Sequence, residues 1–497
     1  NDTTLGSWEG LQLNWTTKSS NYESPVHAHP VVEFTTTIKN FKSDQYVWFQ
    51  YTFVNGANNT SLVQCNKGSN LASIVEFPAF TEINFADALS WSGSFVSGQR
   101  SSADSLTTGP SGGPVVFFDG TDSNSNYDST NNDNDDNNHT EAITVLGSPT
   151  VNFKAWTAGA GQSHRGTKGW VTGTSGTIVS IPAGFQHDLL LQATAFDRAA
   201  TQGVAPVTAS VYTWGDTVQK LSGVPTMKMI DVTVNNIGYQ TDNGAMYCFC
   251  QGNCSKTLLD VKDYFTSLGI KLGYLSFQGA GASSGRGSAA PWCVNQWGID
   301  GGLGNNYPVP LPEFQKALNL SLQLYAPYFC PGSPYFSNSS STSAFASVGE
   351  EVVEVGRDRQ WPAVQSNTSL PGCSSFGFED VAPHQSRAFY NWFFDKGLEA
   401  GMVSFEPDFM NQNYNCVPEF IETTWASPMW MQGMNDAAHE REVAVQWCYA
   451  TPTDVMASIS LQAVTNFRVS FDFCYGRSWD IGLSSLLVGA LGARPSK

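Results

Sequence analysis

Charge is scarce in this chain. Asp, Glu, Lys and Arg make up only 14% of its 497 residues. Basic residues are the scarcer kind, with 25 Lys and Arg against 43 Asp and Glu and a formal net charge of -18. Such an acidic balance argues against nucleic acid and anionic membrane surfaces as partners. Long apolar runs are missing too, and none reaches the roughly 18 residues of a membrane span. The longest candidate, Ile481 to Leu491, is interrupted by Ser484, Ser485 and Gly489 and reads as a packed helix. The chain opens on Asn1-Asp2-Thr3 without Met or a signal peptide, which reads as a mature, processed polypeptide. Cysteine is almost absent from the N-terminal stretch, where Cys65 stands alone before Cys248.

What is plentiful points outward from the cell. Aromatics reach 13%, a balance that suits a surface of Asn, Ser, Thr and sugar rather than Lys and Glu. Sequons are dense, at Asn14, Asn59, Asn138, Asn253, Asn319, Asn338 and Asn367, and Asn1 and Asn58 also fit. So many acceptor sites in one acidic chain favour a secreted, extracellular glycoprotein. The ten cysteines agree. Cys248, Cys250 and Cys254 cluster, and zinc is the rival reading there. No second pair of thiols or histidines stands at a ligand's distance, so disulfides fit better. No cofactor is implied.

Along the chain two textures follow one another. Residues 1–225 read as an all-β sandwich domain. Short alternating runs such as Val31 to Ile38, Tyr46 to Phe53 and Gly176 to Ile181 are separated by Gly, Pro, Asn and Ser. Within them Asp119 to Asn138 forms a polar insertion. Its alternate oxygen ligands suit calcium, but no central Gly and bidentate Glu complete that pattern, so a solvated loop glycosylated at Asn138 is the plainer reading.

From Pro225 onward strands and helices alternate, as in a parallel α/β unit. Strands are expected at Ile237 to Gln240, Ile270 to Phe277, Leu320 to Tyr325, Met402 to Phe405, Val443 to Cys448 and Phe467 to Phe471. A helix is expected over Pro428 to Arg441, capped by Ser427. Residues 226–497 therefore read as a (β/α)₈ TIM-type barrel. Six strands fall short of the eight that closure needs, so the barrel is expected to lack its last strands. A downstream cleaved chain would complete it.

Two strands end on an acid. Met402-Val403-Ser404-Phe405-Glu406-Pro407-Asp408 and Asn466-Phe467-Arg468-Val469-Ser470-Phe471-Asp472 each deliver an Asp to a strand tip. A buried carboxylate is costly unless paired or used. Two carboxyls facing one hollow are what glycoside chemistry needs, one attacking the anomeric carbon and one protonating the leaving oxygen. Asp408 and Asp472 are the catalytic candidates on that ground. Trp447 could wall the pocket, and Arg468 could bind a substrate hydroxyl. An Asp at a strand end is more often a helix cap or loop ligand, which is the plainer alternative for each taken singly.

These stretches resemble the glycoside hydrolase clan of α-galactosidases and raffinose synthases. Thr465 to Asp472 looks like the clan's acid/base strand, with Arg468 four positions before the Asp. Phe405-Glu406-Pro407-Asp408 looks like its nucleophile strand, with Glu406 where Lys is usual. Gln446-Trp447-Cys448 and Ala490-Leu491-Gly492 resemble the family 36 branch. Gly238 to Ala245 resembles the end of the first barrel strand, which makes Asp242 a substrate-binding candidate. Gln278 stands where the clan carries an acid. The resemblance implies a retaining α-glycosidase acting on α-linked, galactoside-like carbohydrate. The alternative is a non-catalytic structural or sugar-binding glycoprotein on the same fold.

Overall fold

The computed structural model describes residues 6–16, 32–41, 46–61, 73–81, 87–102, 112–118, 141–147, 155–158, 169–196, 206–223, 228–241, 252–277, 281–282, 293–294, 296–297, 309–337, 361–470 and 480–496. The chain divides into two compact units. One holds Asn1–Thr226, Thr451–Ile459 and Trp479–Gly492; the other holds Met227–Ala450, Ser460–Ser478 and Ala493–Lys497.

The first unit is built on antiparallel strands. Eight of them form one sheet in the spatial order Glu9–Thr16, Glu33–Phe41, Tyr46–Phe53, Phe185–Phe196, Glu141–Gly147, Gly112–Phe118, Asp87–Ser92, Gly98–Ser102. Three more, Ala155–Ala158, Gly169–Ser175 and Ser73–Thr81, form a second sheet. Period-two alternation puts Phe49, Tyr51 and Phe53 on one face of the large sheet. Tyr51 and Phe53 pack with Ile178 and Ile181 and meet Ile74, Val75 and Phe77 of the small sheet. Phe49 sits edge-on to Phe77 and Phe80. Farther along, Ala88, Val115, Phe117 and Leu189 form a second apolar cluster.

This unit is not purely β, contrary to the expectation for residues 1–225. Pro206–Ser222 is an α-helix whose Val211, Trp214 and Val218 are fully buried. Their spacing of three and four is helical. Two later helices, Pro452–Ala457 and Asp480–Ala490, also pack within this unit. Gly215 lies so close to the backbone of Ala490 that a Cβ there would collide with its carbonyl oxygen.

The second unit holds a parallel sheet of seven strands, numbered β1 to β7: Gly238–Gln240, Tyr274–Phe277, Ser321–Ala326, Met402–Pro407, Ala444–Trp447, Val464–Arg468 and Arg494–Ser496. Their order in space is their order in sequence. Parallel crossovers are right-handed, so a sheet that never reverses order places its helices on one side and curls. This is the order of a TIM-type barrel, and seven strands without a closing pair make it an incomplete one among the described residues. The sequence count of six missed β7, a three-residue strand containing Pro495.

The helices follow the expected alternation, with small shifts. Cys254–Ser267 is capped by Asn253, whose side chain accepts from Lys256 N–H at 2.9 Å. Ser386–Glu399 ends before Gly401, whose φ of 80° suits a residue without a Cβ. The helix expected from Pro428 begins earlier, at Ala426, with Trp425 at its N-cap and no side-chain cap. Disulfides join Cys293 to Cys330 and Cys373 to Cys416, and Cys254 is disulfide-bonded as well. Cys248 and Cys250 lie outside the described residues. No helix is long and apolar enough to cross a membrane among the residues described.

Candidate active site

The parallel sheet has one apolar and one polar face. Phe405 of β4 packs on Tyr390, Phe393 and Phe394 of the helix Ser386–Glu399, and Phe277 of β2 packs on Phe314. Alternation then turns Ser404 and Glu406 away from the helices, with Gln323 and Tyr325 of β3, Gln446 of β5, and Asn466 and Arg468 of β6. A TIM barrel interior is normally filled by branched apolar residues. Here that face is polar and buried.

Buried polar groups persist when they bond one another. Gln323 Nε2 donates to the side-chain oxygen Oε1 of Gln446. Gln446 Nε2 donates to Ser496 Oγ at 2.6 Å, Ser496 Oγ to Asn466 Oδ1 at 3.0 Å, and Asn466 Nδ2 to Asp231 Oδ2 at 2.6 Å. Asp231 also caps Val232–Asn235 by accepting from Thr233 N–H at 2.8 Å. The chain of donors ties β3, β5, β6 and β7 together beneath the strand tips.

At the tips stands Asp408, just beyond β4 and only 6% exposed. Tyr325 OH donates to its Oδ2 at 2.7 Å, and the Phe409 N–H donates to Oδ1 at 2.7 Å. The Cys448 thiol also donates to it. Arg468 Nη1 lies 3.3 Å from Cys448 Sγ. Burial pushes the Asp408 carboxyl above the ordinary carboxylate range, while Cys448, Tyr325, Arg468 and the Phe409 N–H pull it back. Burial raises Tyr325 and Cys448 too, and the Asp408 charge adds to both. Phenol and thiol therefore keep their protons and remain donors.

The backbone beside these groups is unusual. Phe409 and Tyr449 both have left-handed φ, 55° and 52°. Bulky residues rarely adopt it, and each such residue costs on the order of 1–3 kcal/mol. The two rings stack, with centroids 4.8 Å apart and planes at 22°. Adjacent strands β4 and β5 thus end in matched kinks. Cys448 N–H bonds the Pro407 carbonyl at 3.2 Å, and Met410 N–H bonds the Cys448 carbonyl at 3.3 Å.

The structure brings together Glu406, Asp408 and Arg468 of the sequence candidates. It sets Trp447 apart: fully buried, edge-on to Phe467, on the face opposite Gln446 and Cys448. Strand β6 ends at Arg468, earlier than expected, and Asp472 lies outside the described residues, as do Asp242 and Gln278. Sequence reasoning passed over Tyr325 and Cys448. Their signal was alternation: each stands two residues beyond a buried glutamine, on the same strand face. Among the sequons, Asn14, Asn59, Asn253, Asn319 and Asn367 are exposed. Asn138 and Asn338, with the Asp119–Asn138 insertion, lie outside the described residues. No group of three metal-ligating side chains occurs among the described residues.

Fold and site together define a parallel β/α sheet of TIM type with an acid held at the carboxyl ends of its strands. Among solved structures the chain is similar to the α-N-acetylgalactosaminidase NagBb of Bifidobacterium bifidum. The TM-score is 0.51 at 9% identity, over 98% of this chain and 74% of that one. It is similar also to the GH36 α-galactosidase AgaA of Geobacillus stearothermophilus, with TM-score 0.43, 10% identity and 88% of this chain matched, although it spans only 59% of that protein's length. The galactosidase domain of the α-galactosidase-sucrose kinase AgaSK gives TM-score 0.40 at 10% identity, over 100% of this chain and 67% of that one. At such identities the likeness is one of fold. No protein-family model matches the sequence, and no curated protein does.

Proposed function

We propose that this chain is a secreted, retaining α-glycosidase acting on α-linked, galactoside-like sugars. Asp408 attacks the anomeric carbon, and Asp472 protonates the leaving oxygen and then activates water. The observation that carries the reading is Asp408 itself: a buried acid at the carboxyl end of a parallel strand, held by donors from β3 and β5. Active sites of this fold lie at that end. Tyr325, Cys448 and the Phe409 N–H favour the carboxylate that a nucleophile needs. Arg468, beside Cys448, adds positive charge. Glu406 and Asp242 would meet the sugar's hydroxyls.

The remaining parts fit an extracellular protein. The antiparallel sheets serve as an N-terminal β-sandwich, and the parallel sheet serves as a TIM-type domain. Sugar at the seven sequons and the disulfides suit secretion, and an eighth strand from a further polypeptide would close the sheet. One observation favours a second reading, a sugar-binding glycoprotein without turnover: Glu406 is a buried acid two residues from Asp408, where the resembled clan carries Lys.

A mechanism-based α-glycosyl label decides between them. Incubation with an activated 2-fluoro α-galactoside, then peptide mapping, is expected to find the sugar on Asp408. Turnover of an aryl α-glycoside with the label elsewhere refutes the nucleophile assignment. Binding without turnover or label supports the second reading.

A further inference from the structure

We infer that Cys448 is a positioning residue for Asp408, its thiol donating to the carboxylate while its sulfur accepts from Arg468. This rests on the reading of Asp408 as nucleophile. A buried cysteine is ordinarily a small hydrophobe. Cys448 differs in its surroundings. It lies just past the end of β5, on the polar side with Gln446 below it, Asp408 on one side and the Arg468 guanidinium 3.3 Å away on the other. Among the described residues it is the cysteine outside a disulfide.

The backbone explains why the thiol is there. Cys448 and Asp408 each precede a left-handed aromatic residue, and the stacked rings of Phe409 and Tyr449 lock the two kinks to one another. The Cys448 N–H to Pro407 carbonyl bond holds the tips in register. Backbone strain persists only where its surroundings over-determine it, and it gathers at functional sites. Its effect here is to aim two side chains from neighbouring strands at each other.

The consequence is electrostatic. The described groups that act on Asp408 are Tyr325 of β3, Tyr328 beyond it, the Phe409 N–H, Cys448 just past β5 and Arg468 of β6, while Glu406 acts on Tyr325 and Cys448. Cys448 is the foremost of those that favour the charged carboxylate. A polarised S–H passes the pull of Arg468 to Asp408 without placing a cation against the nucleophile. A direct ion pair would make the carboxylate a poorer attacking group.

The test is a carboxyl ¹³C NMR titration of Asp408, assigned by the resonance lost in Asp408→Asn. Wild type, Cys448→Ser and Cys448→Ala are compared. The alanine variant is expected to titrate at higher pH, and serine, a donor of similar shape, to restore the wild-type midpoint. The rate of the alanine variant on an aryl α-glycoside should fall roughly tenfold or more on the acid side, as one charge-assisted hydrogen bond implies. An unchanged carboxyl titration in Cys448→Ala overturns the proposal. The titration needs no turnover, so a carboxyl shift in a protein inactive on every α-glycoside would remove the hydrolase reading and leave the thiol's role standing. Should the alanine variant fail to fold, wild type decides. Its S–H stretching band, absent from Cys448→Ser, should move as Asp408 titrates and ignore pH in Asp408→Asn. A band indifferent to Asp408 overturns the proposal equally.

Discussion

Each large sheet has a buried face, and the two faces carry opposite chemistry. In the antiparallel unit the covered face carries Phe49, Tyr51, Phe53, Phe117 and Leu189. In the parallel unit the face turned from the helices carries Gln323, Tyr325, Glu406, Gln446, Asn466 and Arg468. The first face gains stability from every apolar ring removed from water. The second joins its polar side chains in a chain of hydrogen bonds that runs from Gln323 through Gln446, Ser496 and Asn466 to Asp231. One face is core; the other carries the proposed site.

The contrast repeats at single acids. Asp454 is buried, and its carboxyl is pushed up to about 6 by burial. It is held by its own neighbours: Thr451 N–H at 2.6 Å and Thr451 Oγ1 at 2.9 Å complete a capping box. Asp408 is held mainly from strands over 30 residues away, by Tyr325, Cys448 and Arg468. Local donors make a helix start; distant donors hold the proposed nucleophile.

The sharpest way to break the comparison is Asp408→Asn. Loss of the proposed nucleophile should cut turnover by roughly 10³-fold or more while leaving the fold intact. A variant that unfolds instead would make the polar face another core. The converse is Phe117→Ala in the apolar face, expected to cost about 3–5 kcal/mol in chemical denaturation. Turnover per folded molecule should not change.

Tyr325→Phe removes one donor to Asp408. Since that donor favours the carboxylate, its loss raises the Asp408 pKa. The acid limb of the rate profile should move to higher pH, with a loss of roughly tenfold at its low end. Unaltered kinetics would mean that Asp408 acts without this partner.

Stability should fall as pH rises from about 4 to 7. Asp380 and Glu419 are raised to about 7 and Asp454 to about 6, all by burial, so the folded chain holds protons that the unfolded chain has released. His187, lowered to about 3 by burial, works in the opposite sense below its unfolded value near 6.5, but it is one group against three. Lys228, lowered to about 7, acts above this window. Tm is expected to be higher at pH 5 than at pH 7.5, and a rise in Tm between them would reverse the sign. Least costly is Thr451→Ala, which should lose about 1 kcal/mol of the cap and leave catalysis alone. Any shift of the rate profile in that variant would mean that the cap of Asp454 also governs Asp408.

Much of the parallel unit was legible from alternation. Met402 to Asp408 reads as an acid-tipped strand because apolar and polar residues alternate there, and the structure has that strand. Gly401 marked the end of the preceding helix for the steric reason that the structure shows. Other features left little trace. Arg494–Ser496 is too short for any periodicity to register, and Pro495 argues against a strand. The helix Pro206–Ser222 was readable in Val211, Trp214 and Val218, but β-rich surroundings hid it. Trp447 drew notice by its size, yet alternation puts its neighbour Cys448 on the polar face.

Residue order alone determined where most strands and helices of the parallel unit fall and which residues share a face, because periods of 2.0 and 3.6 act over a few positions. It also set the acidic balance and the spacing of sequons and cysteines. Tertiary structure alone decided that Tyr325, Asp408, Cys448 and Arg468 meet. Those four come from four strands or their ends, and each contact depends on strand order, register and the paired left-handed turns at Phe409 and Tyr449. Such turns cost energy locally and persist only when the packed sheet imposes them, so no window of sequence could have announced them.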